Sequence, residues 1–511
     1  MNIMKLKYIA LLLFASGFTA CNDIEDVSRE EAETTFPEFT TGDVDFSNYI
    51  AVGGSFTAGY TDGALFKAGQ ENSFPNMLAS IFTLAEGGDF KQPLMNDNIG
   101  GFLLNGVVAA SPRLYFDIAS SSPKVLNATP STEITSPVNG PFNNYGIPGL
   151  KSFHLGFSGY GMLNPYFGRM TSSPQTATVL GEAVAQNPTF FTLSEIGGND
   201  VLSYALAGGD GTDQTGNPNP ATYQGNDITD PNVFAASFNA AVTALTTNGA
   251  KGVVTNVPYV KDLPHFTTVP YNPIPLDAAT AAYLNSASAY GAYNAGITQA
   301  FAYLVANNLM SQADANTEIS KRTITFEASE SNAVVIMDES LTDLTSLNAA
   351  LISIRQATAD DLIVLTASNF IGTEAVAGNP QTVNGVAIPL ADKWVLTPEE
   401  QTSIKTATDA YNATIASVVN NNDNLALVDL NTTLSQLATT GVIFDDFILK
   451  ANLATGGAIS LDGVHLTARG YAYLANKFLE AIDIAFGSNF TESGNVLKAG
   501  DYPTNYSPAL Q

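Results

Sequence analysis

Cysteine is nearly absent: Cys21 is the single one in 511 residues, so no intramolecular disulfide can form and no zinc site can rest on thiolates. Basic residues are also scarce, with 20 Lys and Arg against 48 Asp and Glu and a formal charge of −28. Such a surface repels a phosphate backbone, so no nucleic-acid partner is expected, and direct electrostatic docking on anionic lipid is disfavoured. Charged residues of either sign reach only 13%. Past the N-terminus no stretch is apolar for long enough to span a bilayer. Histidine is limited to His154, His265 and His465, which leaves three candidates for a base working near neutral pH.

What is present begins with the N-terminus. Lys5 and Lys7 precede an apolar run from Tyr8 to Phe18, and Thr19-Ala20 supply small residues before Cys21. This pattern resembles a bacterial lipoprotein signal peptide, residues 1–20, cut before a Cys21 whose thiol is then lipidated. Phe18 departs from it, standing where such motifs usually carry Leu. An ordinary secretory signal in which Cys21 is incidental is the alternative. Residues 21–47 are polar and acidic, with Asp23, Glu25, Asp26, Glu30, Glu31 and Glu33, and read as a solvated tether.

A globular body is expected over 48–490, followed by a tail, 491–511. Its first apolar run, Tyr49 to Val52, ends in Gly53-Gly54 and reads as a buried strand entering a tight turn. Similar runs recur at Phe190–Ile196, Gly252–Val257, Val334–Met337, Leu362–Leu365 and Leu425–Leu430, the pattern of buried parallel strands. Between them lie amphipathic stripes: Ile404, Tyr411, Ile415 and Val418; Tyr290, Tyr293, Ile297 and Phe301; Tyr471, Leu474, Phe478 and Ile482. All three are expected to pack against a sheet. Thr397, Pro398 and Glu400 supply a cap, a first-turn proline and a capping-box acid. Strands alternating with helices predict an α/β fold with a parallel sheet. Segments near 60–140, 200–248 and 260–330 break that rhythm and read as insertions. The Asp210-Gly211-Thr212-Asp213 stretch lacks the ligand spacing of an EF-hand loop and reads as plain surface.

His465 lies in Leu461-Asp462-Gly463-Val464-His465, just before a helix that Thr467 can cap. An acid three residues earlier on a pinned loop can hold the imidazole Nδ1 and leave Nε2 free as a base. Such a base needs a nucleophile, and Ser55 follows a buried strand and a Gly-Gly turn, the usual place for one on an α/β sheet. His154 and His265 have no acid at that spacing and read as loop histidines, although His265 could line the cleft. Asp200 reads as an anchor for its loop.

Two more segments, Asn144-Tyr145-Gly146-Ile147-Pro148-Gly149 and Ile196-Gly197-Gly198-Asn199-Asp200, complete a set of four blocks that resembles the SGNH, or GDSL-like, hydrolases. The resemblance implies a three-layer α/β/α, flavodoxin-like fold with large insertions and the site at the carboxyl ends of the strands. It implies Ser55 as nucleophile, His465 as general base and Asp462 as its orienting acid. The Ser55 N–H, the Gly149 N–H and the Asn199 amide would form the oxyanion hole. The implied reaction is hydrolysis of a carboxylic ester, lipid or acylated glycan, through an acyl-enzyme, with no metal or organic cofactor. Lipidated Cys21 would tie the enzyme to an outer membrane or cell surface. Two positions depart from the Gly-Asp-Ser-Leu block: Gly54 stands for the aspartate and Phe56 for the leucine. A surface-anchored protein that binds glycan or lipid on a hydrolase scaffold is the other class the sequence allows.

Overall fold

Tyr49–Gly53 carries no charge and every residue in it is buried, as a strand with neighbours on both edges requires. In the computed structural model, which describes residues 36–511, it is strand β1. It pairs in parallel with β2 (Asn144–Gly146) on one side and β3 (Phe190–Ser194) on the other. β3 pairs with β4 (Lys251–Thr255), and β4 with β5 (Leu425–Val428), again in parallel. The protein is therefore an α/β protein around a five-stranded parallel sheet, ordered 2-1-3-4-5. The order in which strands are added reverses between β1 and β3, and at such a switch point a crevice opens at the carboxyl ends of the strands.

Four of the apolar runs are strands of this sheet, but Val334–Met337 and Leu362–Leu365 are not. Val335–Met337 pairs antiparallel with Ile354–Gln356, and Leu362–Ile363 with Val395–Leu396. A short run buried in an insertion looks like a buried parallel strand, because both lack polar alternation. The missing fifth strand is β2, whose three residues hold no apolar run at all. Asn144 secures it by donating to Thr57 O and accepting from Gly146 N–H.

Eight helices position the site and its supports: α1 (Ser55–Ala58), α2 (Phe74–Phe82), α3 (Val179–Val184), α4 (Gly198–Leu206), α5 (Pro231–Thr246), α6 (Tyr290–Ala306), α7 (Pro398–Asn420) and α8 (Ala468–Phe486). α2 packs on α8 through stacked Phe74 and Phe478, 4.7 Å apart, and α8 lies against β4 and β5. α5 packs on α7 through Phe234 and Tyr411, 4.4 Å apart. The expected capping box of α7 is formed by Thr397 and Glu400, and Thr467 caps α8.

Four expectations need correction. The 200–248 segment is not simply an insertion, because α5 within it crosses from β3 to β4 and buries Phe234, Phe238, Ala241, Val242 and Leu245. Its Asn, Ala and Thr content disguised that helical spacing. α6 does not pack on the sheet. It sits on the helix Gln312–Arg322 inside the inserted segment, where the Tyr293 hydroxyl donates to Ile352 O at 3.0 Å. Residues 36–47 of the expected tether are joined to the body: Phe46 is buried, stacks on Phe82 at 4.2 Å and meets Phe190 edge-on. The 491–511 tail is joined likewise, since buried Arg113 donates to Ser507 O at 2.7 Å and Leu510 O at 2.9 Å. The signal segment 1–20, Cys21 and the first part of the tether lie outside the described residues. No helix among the described residues is long and apolar enough to cross a membrane.

Candidate active site

The turn after β1 sets Ser55 at the start of α1, and Gly59 ends that helix with φ +79°. Ser55 Oγ lies 2.9 Å from His465 Nε2, and His465 Nδ1 lies 2.9 Å from Asp462 Oδ2. These three residues, 410 positions apart at the extremes, thus form one hydrogen-bonded chain. Asp462 is held as firmly as it holds. Its Oδ1 accepts from Val464 N–H at 2.8 Å and His465 N–H at 2.9 Å, and its Oδ2 accepts also from Gly63 N–H at 2.8 Å. Burial alone would raise the carboxyl, but the His465 imidazole and these N–H donors overcome it and keep the pKa below the ordinary carboxylate range. An ionised Asp462 requires the proton on Nδ1, which leaves the Nε2 lone pair facing Ser55. Gly463 permits the tight loop, with φ +77° and a position where a Cβ would stand 2.8 Å from His265 N.

Asn199 opens α4 after Gly197, which has φ +101°. Its Nδ2 donates to Leu150 O at 3.1 Å, and a Cβ built on Gly54 would lie 3.2 Å from the same nitrogen. The amide therefore sits between the residue before the serine and the residue after Gly149. Gly149 has φ +79° and open space on its Cβ side. Neither the Ser55 N–H nor the Gly149 N–H has an acceptor among the described residues. Asp200 is fully buried and accepts from Ser152 N–H at 2.8 Å and Ser152 Oγ at 2.6 Å, which anchors the loop that Gly149 begins.

His154 is separate from this chain. Its Nδ1 accepts from Lys151 N–H at 3.1 Å, its ring stacks on Tyr160, and burial with the Lys151 ammonium pushes its pKa down to about 4. His265 lies closer, with Nδ1 3.4 Å from Asp462 O, and lines the cleft as the sequence allowed. Burial lowers its pKa below the ordinary imidazole value too. The cleft has a volume of about 460 Å³, with Tyr60, Leu114, Leu206, Leu365 and Leu453 among the walls beside His465. Leu114 belongs to a hairpin in the first insertion and Leu365 to the inserted segment before α7.

Two acids beside the site escaped the sequence reading. Asp62 is buried at φ +52°, its Oδ1 accepts from Leu461 N–H at 3.1 Å, and its own N–H donates to Ser460 Oγ. It stitches the serine loop to the histidine loop, and the Asp62-Gly63 turn was its available signal. Glu195, buried at φ +48° where β3 ends, accepts from Thr57 N–H at 3.0 Å and so holds the first turn of α1. Its signal was an acid between Ser194 and Ile196 in an otherwise apolar run. Glu195 also accounts for Gly54: a Cβ there would stand 3.3 Å from Glu195 Oε1, and an aspartate would set a second carboxylate against the first.

Burial lifts the Glu195 carboxyl from 4.5 to about 7. Such an acid binds its proton more tightly in the folded state, so the contribution is full below pH 4.5 and is lost as pH rises toward 7. The loss is on the order of 3 kcal/mol. Glu195→Gln is expected to flatten the fall of Tm across that window, leaving the part due to Asp62, which burial also lifts to about 7. An unchanged Tm profile in Glu195→Gln would mean that another group titrates there.

Comparison with family models, with curated proteins and with solved structures finds no match to this chain.

Proposed function

We propose that the protein is a serine carboxylester hydrolase of the SGNH, GDSL-like type, with a three-layer α/β/α, flavodoxin-like core. The observation that carries the reading is the chain from Ser55 Oγ through His465 to Asp462, with both links at 2.9 Å. His465 Nε2 takes the Ser55 proton as Oγ attacks the ester carbonyl, and then returns it to the leaving alcohol. Water activated by the same nitrogen releases the acyl group. Charge on the carbonyl oxygen is met by the N–H groups of Ser55 and Gly149 and by the Asn199 amide. Asn199 Nδ2 spends one hydrogen on Leu150 O and has a second to give. The strand order and the placing of Ser55, Gly149 and Asn199 after β1, β2 and β3 support the fold assignment, since all three then meet at the switch point.

The apolar walls of the cleft favour an acyl chain as the part of the substrate held there, on a lipid or an acylated glycan. An activated ester with a fluorophosphonate competitor tests the reaction: a burst of one acyl-enzyme per chain and a phosphonyl adduct on Ser55 are expected. No burst and no adduct would leave a binding lipoprotein instead. Asn199→Ala is expected to lower kcat roughly a hundredfold with KM nearly unchanged, because the amide matters most once the oxygen is charged. A large rise in KM at constant kcat would make Asn199 a substrate-binding residue.

We also propose anchorage at an outer membrane or cell surface through lipidated Cys21. Cys21→Ala is then expected to abolish metabolic labelling by palmitate without changing the rate in detergent. Equal labelling of the variant would exclude the anchor.

A further inference from the structure

A second constellation of charge lies outside the serine site. Glu339, Asp392 and Glu400 come from three separate stretches of chain, yet one carboxylate oxygen of each lies within 4.8 Å of the other two. Glu400 is 4% exposed, and its Oε2 accepts from Thr397 N–H and Thr397 Oγ1 in the cap of α7. Its Oε1 is buried and has no hydrogen-bond partner among the described residues, and Asp392 Oδ1 is in the same condition. Two unpartnered carboxylate oxygens buried beside a third acid cost several kcal/mol unless something positive meets them.

No cationic side chain among the described residues does so. Lys321 pairs with Glu399, Arg355 with Asp338 and Asp361, and Lys393 lies over the Trp394 ring. Asp210 adds its charge to Asp392, although its own stretch of sequence lacks EF-hand spacing. The main chain is shaped to this cluster as well. Gly209, at φ +91° just past α4, approaches so closely that a Cβ would lie 1.9 Å from Glu400 Oε1. That approach also brings the negative end of the α4 dipole toward the carboxylates.

We propose that Glu339, Asp392 and Glu400 bind a calcium ion that ties the inserted segment to the core. The donor set is oxygen alone, which selects a hard cation over zinc or copper. Three carboxylates converging on one point suit calcium, which takes six to eight oxygens in flexible geometry, whereas magnesium keeps several of its waters and usually takes only one or two carboxylates. Exposed Glu339 leaves one side open for the waters that complete the shell. Glu339 and Asp392 lie in the inserted stretch between β4 and α7, Glu400 is in the first turn of α7, and Gly209 follows α4, the helix that carries Asn199 and the cleft residue Leu206. The ion would thus fix the insertion against the helix that bears the oxyanion amide. This inference does not depend on the esterase reading.

The test uses the full chain in detergent, stripped by chelator. Terbium should give luminescence sensitised by Trp394, the sole tryptophan and two residues from Asp392, and calcium should displace it. Calcium should raise the Tm by several degrees. Glu339→Gln, whose side chain has no part in a cap, should weaken calcium at least tenfold and raise the Tm of the metal-free protein by removing repulsion. Asp392→Asn should do the same, so the proposal does not hang on Glu400, whose loss would also damage α7. Absence of a calcium-dependent shift, an equal shift in both variants, or saturation by magnesium at the same concentration would each overturn it.

Discussion

Ser55→Ala and His465→Ala are each expected to remove nearly all ester hydrolysis, roughly 10⁶-fold in kcat, and the double variant to be no slower than either. The reason lies in the shared proton. Ser55 Oγ is a weak nucleophile unless the nitrogen 2.9 Å away accepts its hydrogen, and that nitrogen has nothing to activate once the hydroxyl is gone. Two residues performing one act cannot lose it twice. What remains, of order 10³ over water, would come from the oxyanion donors and binding alone. His154→Ala is expected to keep most of the activity, because that imidazole is committed to Lys151 N–H and Tyr160. His265→Ala is the more searching control, since its ring contacts Asp462 O and lines the same cleft. If His265→Ala proves as inactive as His465→Ala, or if additive losses are found in the double variant, the assignment of the base is wrong.

The parts of this site that were legible in the sequence are those in which one residue type has few substitutes. Three histidines and an acid three residues before one of them leave little choice for a base, and a Gly-Gly-Ser turn after an apolar run marks a strand end. Asp62 and Glu195 were not legible because their roles depend on loops that meet from opposite ends of the chain. Asp62 meets Leu461 across 399 residues, and Glu195 meets Thr57 across 138. The same separation hid the fold's errors. β2 is three residues long and polar at one end, so its place in the sheet comes from β1 beside it and not from its own pattern. Val335–Met337 has the pattern but not the neighbour, and it pairs within the insertion. α5 was obscured by composition, although its buried positions keep helical spacing once Phe234, Phe238, Ala241, Val242 and Leu245 are aligned.

Asp462→Asn is expected to lower kcat by roughly 10³- to 10⁴-fold, a severe loss but a smaller one than that of Ser55 or His465, because the acid orients the base without exchanging the proton. Four N–H groups point at the carboxylate: Nδ1–H and Gly63 N–H at Oδ2, Val464 N–H and His465 N–H at Oδ1. An amide can offer an oxygen to only one of these pairs. With its nitrogen toward His465 it turns the imidazole to the other tautomer, placing hydrogen on Nε2 and abolishing the base. With its nitrogen toward Val464 it leaves two main-chain donors opposed and strains the loop that positions the ring. Both orientations also cost stability, since each leaves buried donors unmet. The carboxyl is held below its ordinary pKa in the folded protein, so its stabilisation is complete at neutral pH and fades as the solution is acidified below about pH 4. The Tm deficit of Asp462→Asn relative to wild type should follow that curve. A variant with wild-type kcat, or a Tm deficit that grows on acidification, would show that Asp462 neither orients His465 nor sits there as an ionised acid.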